Sequence, residues 1–327
     1  MKNNVFIVRT PLQAFNAIEA KERFCQNQHN YIVIVYRNPM DKKLFETIIL
    51  ANEWSKIHYI KLKPHMKLLS FFRKLLKEMP RVEQCFLGDY STIINYYMNR
   101  IKYQKLILLE DGSSTIRRAE LLEKKHFHIL KKTDYSPKNK LQIFLEKLLK
   151  IDVYYYYNGV FFTIYNLKNQ IELISNDYRY FKNSISSLPK KEVAFFIGSE
   201  IKHRILVDVK TFEAYVSQVV QIYKQRDIDF YYILHRKEDE LYMKELSERL
   251  NFKCLRFDTI LELQFLKMNY IPCEVSTFLS TAVTTLHNLY PSTYKYYQLL
   301  EKDIQPKLQD SIQKIYIQFK KEGIDSL

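Results

Sequence analysis

Glycine is scarce in this chain, at 5 of 327 residues. Those five stand far apart, so neither a GxGxxG turn nor a Walker A loop is spelled, and the glycine-rich phosphate cradles are excluded. Cysteine is also sparse. Cys25, Cys85, Cys254 and Cys273 form no CxxC and no His/Cys ladder, which argues against structural zinc and against a disulfide scaffold. Free thiols in a reducing cytoplasm are the expectation. No apolar run approaches a membrane span. The opening MKNNVFIVRTP has a short apolar run closed by Arg9 and Pro11, so no signal peptide is expected and the chain reads as cytoplasmic. Acidic residues are the minority charge: 36 Asp and Glu face 51 Lys and Arg, a formal +15. That surplus favours anionic partners. The lysines are spread rather than clustered with aromatics, so no nucleic acid is expected, and a basic surface beside an inner membrane leaflet fits better.

What the chain does have is apolar content (47%) and aromatics (26 Tyr, 21 Phe), ample for a packed core. Strand and helix patterns alternate. Strands are expected at 5–8, 31–36, 57–62, 83–87 and 105–109, with a helical pattern at Leu12, Phe15, Asn16 and Ile18 and helices at 42–52, 68–79 and 91–103. Thr10 reads as an N-cap with Pro11 at the first helical position and Gln13 in the first turn. The stretch 68–79 is basic and amphipathic, either a surface helix or a membrane-surface contact. Residues 117–150 read as mostly helical, and Asn158–Gly159 as a hairpin turn between 153–157 and 160–165. An irregular polar stretch ends at Pro189. Beyond it, strands are expected at 192–197, 229–234, 253–257 and 274–278, with helices at 211–226, 238–250, 259–268 and 282–288. The tail 294–319 reads as one or two helices. The fold class is therefore α/β, with doubly wound parallel sheets in two domains, 1–189 and 190–327.

Ligands in such sheets bind beyond the carboxyl ends of strands. Those ends carry Gly88–Asp89 and Glu110–Asp111–Gly112 in the first domain. In the second they carry Gly198–Ser199, His235 and Ser280–Thr281. Adjacent acids suit a general base, an imidazole suits a general acid, and hydroxyls at a helix N-terminus suit a phosphate. Each also has a bland alternative: a polar loop capped by Ser113 or Ser114, a structural histidine, and a plain Ser/Thr cap.

Several segments resemble the bacterial lipooligosaccharide and capsule sialyltransferases of glycosyltransferase family 52. FIVRTPLQAFNAIEA (6–20) is similar to that family's opening. LLEDGSSTI (108–116) resembles its acidic-acidic-Gly motif, YYILHRKED (231–239) its His-Pro segment, and IPCEVSTFLSTAVTTL (271–286) its Ser-Ser/Thr segment. FFIGSE (195–200) fits the strand that opens the second domain. One departure stands out: Arg236 replaces the proline after the histidine. The resemblance implies a GT-B fold, two Rossmann-like domains facing a central cleft, with 1–189 on the acceptor side and 190–327 binding nucleotide sugar. It implies inverting, metal-independent transfer from CMP-sialic acid to a hydroxyl of a surface oligosaccharide, with no cofactor beyond the donor. Asp111 would be the base and His235 the acid. Ser280, Thr281, Gly198, Ser199 and Arg236 would serve the nucleotide phosphate, and Thr10, Gln13, Asp89 and Glu110 the donor or acceptor. It admits a membrane-borne acceptor, peripheral inner-membrane contact and a homodimer. A GT-B enzyme using another nucleotide sugar and a non-catalytic glycan- or nucleotide-binding protein remain the alternatives.

Overall fold

The computed structural model describes residues 2–49, 53–88, 92–123, 147–151, 158–167 and 172–327. Contacts divide the chain into two units, 1–180 and 181–327. The division falls within a short helix ahead of the second sheet, upstream of Pro189.

The first unit runs β1 (Asn3–Val8), α1 (Pro11–Phe24), β2 (His29–Tyr36), α2 (Pro39–Ile49), β3 (Lys56–Lys61), α3 (His65–Glu78), β4 (Arg81–Leu87), α4 (Thr92–Met98), β5 (Lys102–Leu109), α5 (Ser113–Glu123), β6 (Gly159–Thr163) and β7 (Leu173–Ser175). Its seven strands pair in the order β3-β2-β1-β4-β5-β6-β7, all parallel. The central strands are buried on both faces, which is why they read as unbroken apolar runs. Val5 and Ile7 join Val33, Leu68, Phe72 and Leu75 in one core layer. Phe6 points the other way, stacked on Phe86 at 4.0 Å and edge-on to Trp54 at 5.0 Å. The amphipathic reading of 68–79 holds: α3 buries Leu68, Phe72 and Leu75 and turns its cations outward.

The second unit runs α6 (Arg179–Ile185, crossing the division), β8 (Lys190–Ile197), α7 (Val209–Gln225), β9 (Asp229–Ile233), α8 (Glu240–Leu250), β10 (Lys253–Leu255), α9 (Leu261–Lys267), β11 (Ile271–Thr277), α10 (Ala282–Leu289), β12 (Thr293–Tyr296), α11 (Gln309–Lys321) and β13 (Asp325–Ser326). Its sheet is again wholly parallel, in the order β10-β9-β8-β11-β12-β13. Both units thus have the Rossmann order, with the reversal of winding between β1 and β4 and between β8 and β11.

Three expectations need correction. The residues after Pro291 begin as a strand, not a helix: in Thr293–Tyr296 the two tyrosines are buried and alternate with outward residues, which is a period of two. After two single 3-10 turns, at Glu301–Asp303 and Pro306–Leu308, an α-helix forms only from Gln309, as α11. The strand before Glu110 starts at Lys102, so the preceding helix ends at Met98. The hairpin at Asn158–Gly159 does not survive either. Residues 153–157 lie outside the described residues, but β6 pairs with β5 on one side and β7 on the other, both in parallel. The expected helical stretch 124–146 also lies outside the described residues.

Candidate functional site

Chemistry-bearing residues gather at the carboxyl edge of each sheet, around the strands flanking each reversal. In the first unit, β1 ends into Thr10, which caps α1. The Thr10 hydroxyl accepts from the Gln13 backbone N–H at 3.3 Å. The Gln13 side-chain oxygen accepts in return from the N–H groups of Arg9 (2.8 Å) and Thr10 (3.2 Å), a complete capping box. Gln13 is 2% exposed and packs on the end of β4: a Cβ at Gly88 would come within 2.6 Å of its Oε1. Gly88 is therefore small because Gln13 lies against it, and Gln13 shapes the turn rather than meeting a ligand.

The two acids after β5 part company. Glu110 is fully buried, and its Oε2 accepts from the Thr163 hydroxyl and the Ile164 N–H, both at 2.7 Å, which fastens β5 to β6. The expected ligand contact from Glu110 is thus corrected to an internal one. Asp111 turns the other way. Its Oδ1 accepts from the Thr10 hydroxyl at 2.8 Å, and its Oδ2 from Ser114 Oγ at 3.1 Å and Arg118 Nη2 at 3.2 Å. Its own N–H donates to Thr115 Oγ1 at 2.8 Å. The helix after Gly112 therefore does more than cap a polar loop: Ser114 and Arg118, on one face of α5, aim the Asp111 carboxyl group. Gly112 makes the turn at φ +60°, a conformation that favours glycine. Neither Thr10 as a partner of Asp111 nor Arg118 followed from sequence spacing, because both meet the acid through the fold. Asp89 lies outside the described residues.

In the second unit, β8, β9 and β11 end side by side. Gly198 N–H donates to Ile233 O at 2.8 Å, and the Thr277 hydroxyl donates to Ile197 O at 2.8 Å while accepting from Ser280 N–H at 2.9 Å. Thr277, which the sequence reading passed over, is the tie that sets Ser280 beside the end of β8. Ser199 is 8% exposed and its hydroxyl has no partner among the described residues. Thr281 occupies the N-cap position of α10 with helical dihedrals and makes no side-chain cap hydrogen bond. The Ser280 hydroxyl likewise makes no hydrogen bond among the described residues. The plain cap reading of this pair therefore fails, and hydroxyls stand unused at a helix N-terminus, where N–H groups and dipole favour an anion.

His235 follows β9 and is half-buried. Its Nδ1 accepts from the Lys237 N–H at 3.3 Å, which leaves the ring proton on Nε2. Burial, and then the Arg236 cation, lower its pKa, so the ring is neutral near pH 7 and presents an N–H donor. Arg236 itself is exposed. In place of a rigid proline, Glu238 fixes the loop. Its Oε2 accepts from His235 N–H at 2.7 Å, its Oε1 accepts from the Tyr232 hydroxyl at 2.8 Å, and its own N–H donates to His235 O at 2.9 Å. Burial pushes the Glu238 carboxyl up to about 7. A Cβ at Gly198 would collide with Glu238 Oε2 and lie 2.8 Å from Tyr232 Cε1, so Gly198 serves this clamp. Glu238 was legible only as a helix opener; nothing in the linear sequence joins it to Tyr232 and Gly198. Glu262, in the first turn of α9, is a second buried acid, also pushed up to about 7 by burial.

Two concavities among the described residues lie elsewhere. One of about 580 Å³, lined by Lys21, Cys25, Asn30 and Trp54 among others, sits at the amino edge of the first sheet, and another of about 480 Å³ sits at the amino edge of the second. The Asp227-Ile228-Asp229 sequence, which has the spacing of a metal-binding acid pair, is at that amino edge too, and Asp229 pairs with Lys253 at 2.6 Å. A position before the strand rather than after it removes these groups from the carboxyl edge of the second sheet, where His235 stands.

No protein-family model matches the sequence, and no curated protein matches it. Among solved structures the chain is similar to a UDP-GlcNAc 2-epimerase from Neisseria meningitidis bound to UDP-GlcNAc, with 10% identity, 97% of this chain and 90% of that chain covered, and a TM-score of 0.48. It is similar to the E. coli heptosyltransferase WaaC with ADP-2-deoxy-2-fluoro heptose, at 12% identity, 97% and 99% coverage and a TM-score of 0.47. It is also similar to Acinetobacter baumannii MurG, at 11% identity, 97% and 84% coverage and a TM-score of 0.43. These likenesses run along almost the whole chain, at a level that assigns no chemistry; the two Rossmann-type units are established by the strand order itself.

Proposed function

We propose that this chain is a GT-B glycosyltransferase that moves sialic acid from CMP-sialic acid to a hydroxyl of a surface oligosaccharide, with inversion. The observation that carries the proposal is Asp111, a carboxylate aimed by Thr10, Ser114 and Arg118 at the carboxyl edge of the first sheet. Its support comes from the second unit, where a neutral imidazole and unused hydroxyls stand at the corresponding edge, and from the motifs that resemble the family 52 enzymes.

In this reading the first unit serves the acceptor and the second the nucleotide. Asp111 takes the proton of the acceptor hydroxyl as its oxygen bonds to the anomeric carbon of sialic acid. The bond from that carbon to the CMP phosphate breaks, and negative charge gathers on the leaving phosphate. His235 Nε2–H, the hydroxyls of Ser280 and Thr281, and Ser199 Oγ meet that charge, and donors placed where charge develops lower the barrier. Gly198 lets the clamp behind His235 close, and Arg236 adds a cation at the rim. No cofactor beyond the donor and no metal enters these steps.

The test is the melting temperature with CMP, UDP, GDP, CMP-sialic acid and UDP-hexosamines, without added metal. A ligand at about a hundred times its Kd adds about 2.7 kcal/mol of stability, a visible shift. A shift with the CMP compounds supports the proposal. A shift with UDP alone replaces the donor, and no shift with any nucleotide overturns the reading.

A further inference from the structure

Among the described residues of the first unit, three large apolar side chains are mostly exposed; Leu148 (66%) lies near the amino end of β5, and the other two share the opposite edge of the sheet. Met40 is 83% exposed and Met66 is 71% exposed, and they stand in the first turns of α2 and α3. Those helices follow β2 and β3, neighbouring strands that pair in parallel up to Tyr36↔Lys61. The two methionines therefore sit on adjacent connections past the carboxyl ends of adjacent strands. This is the same edge of the sheet that carries Thr10 and Asp111. Residues 37–43 and 61–67, which form the connections, hold Arg37, Lys42, Lys43, Lys61, Lys63 and Lys67 against a single acid, Asp41. Arg37, Lys43, Lys61, Lys63 and Lys67 are exposed, and α3 carries the charge onward with exposed Arg73, Lys74 and Lys77.

A lone exposed methionine needs no explanation. Two of them, long and unbranched, in the first turns of two helices set among cations at one edge of the sheet, form a pattern with a specific counterpart. We propose that this edge docks on an anionic lipid bilayer, with Met40 and Met66 entering among the acyl chains and the surrounding cations meeting headgroup phosphates. A nucleic acid would satisfy the cations and leave the methionines in water. The inference deepens the proposed function, since a bilayer at the Asp111 edge would present a lipid-borne acceptor there. Bilayer binding itself needs neither donor nor acceptor, so the two readings fail separately.

The test is co-sedimentation of the full chain, without nucleotide, with phosphatidylcholine vesicles and with vesicles containing phosphatidylglycerol. Binding is expected to the anionic vesicles, far less to the zwitterionic ones, and to weaken with salt. Each cation near such a surface contributes roughly fivefold, so Lys63→Ala with Lys67→Ala should lower partitioning about 25-fold. Met40→Ser with Met66→Ser should lower it by about a hundredfold or more, since each buried methionine contributes about tenfold or more. Melting temperatures of all variants should match the parent, because every altered side chain is exposed. Equal binding to both vesicle types overturns the proposal, as does undiminished binding by the methionine variant, which would leave only a contact between cations and a polyanion. Retained vesicle binding in a chain that responds to no nucleotide would overturn the proposed function and keep this surface.

Discussion

The Glu238→Ala substitution removes one carboxylate and every constraint it places on His235. The acceptors for the His235 N–H (2.7 Å) and the Tyr232 hydroxyl (2.8 Å) both vanish. Leaving two such donors unsatisfied in a largely buried loop costs about 1–3 kcal/mol each. A second effect runs against this one at high pH. Burial lifts the Glu238 pKa from an ordinary 4.5 to about 7, so the fold favours its protonated form. The stability this contributes is fully present below pH 4.5 and is lost as pH rises through about 7, an amount of at most about 3 kcal/mol. Alanine carries no such dependence. Glu238→Ala is therefore expected to destabilise by about 2–6 kcal/mol near pH 5 and by about 3 kcal/mol less near pH 8.5. Urea unfolding at the two pH values reads this. Nitrogen NMR of the imidazole supplies the second reading: a single Nε2–H tautomer in the parent, a tautomer mixture in the variant. Glu238→Gln, which keeps an oxygen for the His235 N–H, should restore the tautomer and not the pH dependence. A destabilisation equal at both pH values, with an unchanged tautomer, would refute the clamp.

Glu262→Gln should leave stability near pH 5 almost unchanged and raise it above pH 7 by up to about 3 kcal/mol, because burial holds this acid up to about 7 and its ionisation opposes the fold; the check is unfolding as a function of pH, and a flat difference counts against the assignment. Gly198→Ala should cost about 1–3 kcal/mol in urea unfolding by forcing Glu238 and Tyr232 apart, and should disturb the His235 tautomer as well; a neutral substitution would mean that the loop has slack. Ser280→Ala with Thr281→Ala should change stability by no more than about 0.5 kcal/mol, since neither hydroxyl caps α10. The same pair should weaken nucleotide binding by about tenfold or more, the worth of a hydrogen bond to a charged group; a clear loss of stability instead would return them to the role of caps.

The sequence carried the fold well wherever a strand was buried on both faces. Val5–Val8, YIVIVY and the run before Glu110 are unbroken apolar stretches ended by turn residues, a pattern few other structures produce. It failed at Thr293–Tyr296, where a four-residue alternation sits inside a long aromatic, basic stretch that reads equally as helix. It also failed at Asn158–Gly159, where a strong local hairpin signal is overridden by parallel partners far away in the chain. The site was legible in part for the same reason. Residues at strand ends, Thr10, Asp111, His235 and Ser280, follow from local pattern. The groups that orient them, Arg118, Thr277, Tyr232 and Glu238, act through contacts that only the folded sheet creates, so their positions in the sequence carry no mark. Glu110 and Gln13 show the converse: polar residues at a strand end and in a helix's first turn look like ligands in the sequence, yet both turn inward to build the scaffold.

The most direct test of the central claim is CMP release from CMP-sialic acid with a panel of oligosaccharide acceptors, for the parent chain and for Asp111→Asn. The account predicts acceptor-dependent CMP release by the parent and a loss of about a hundredfold to ten-thousandfold in Asp111→Asn, the usual worth of a general base, with the melting shift on CMP preserved. Release by the variant at the parent's rate would contradict the role of Asp111, and no release by the parent with any acceptor, despite a melting shift on UDP, would contradict the donor.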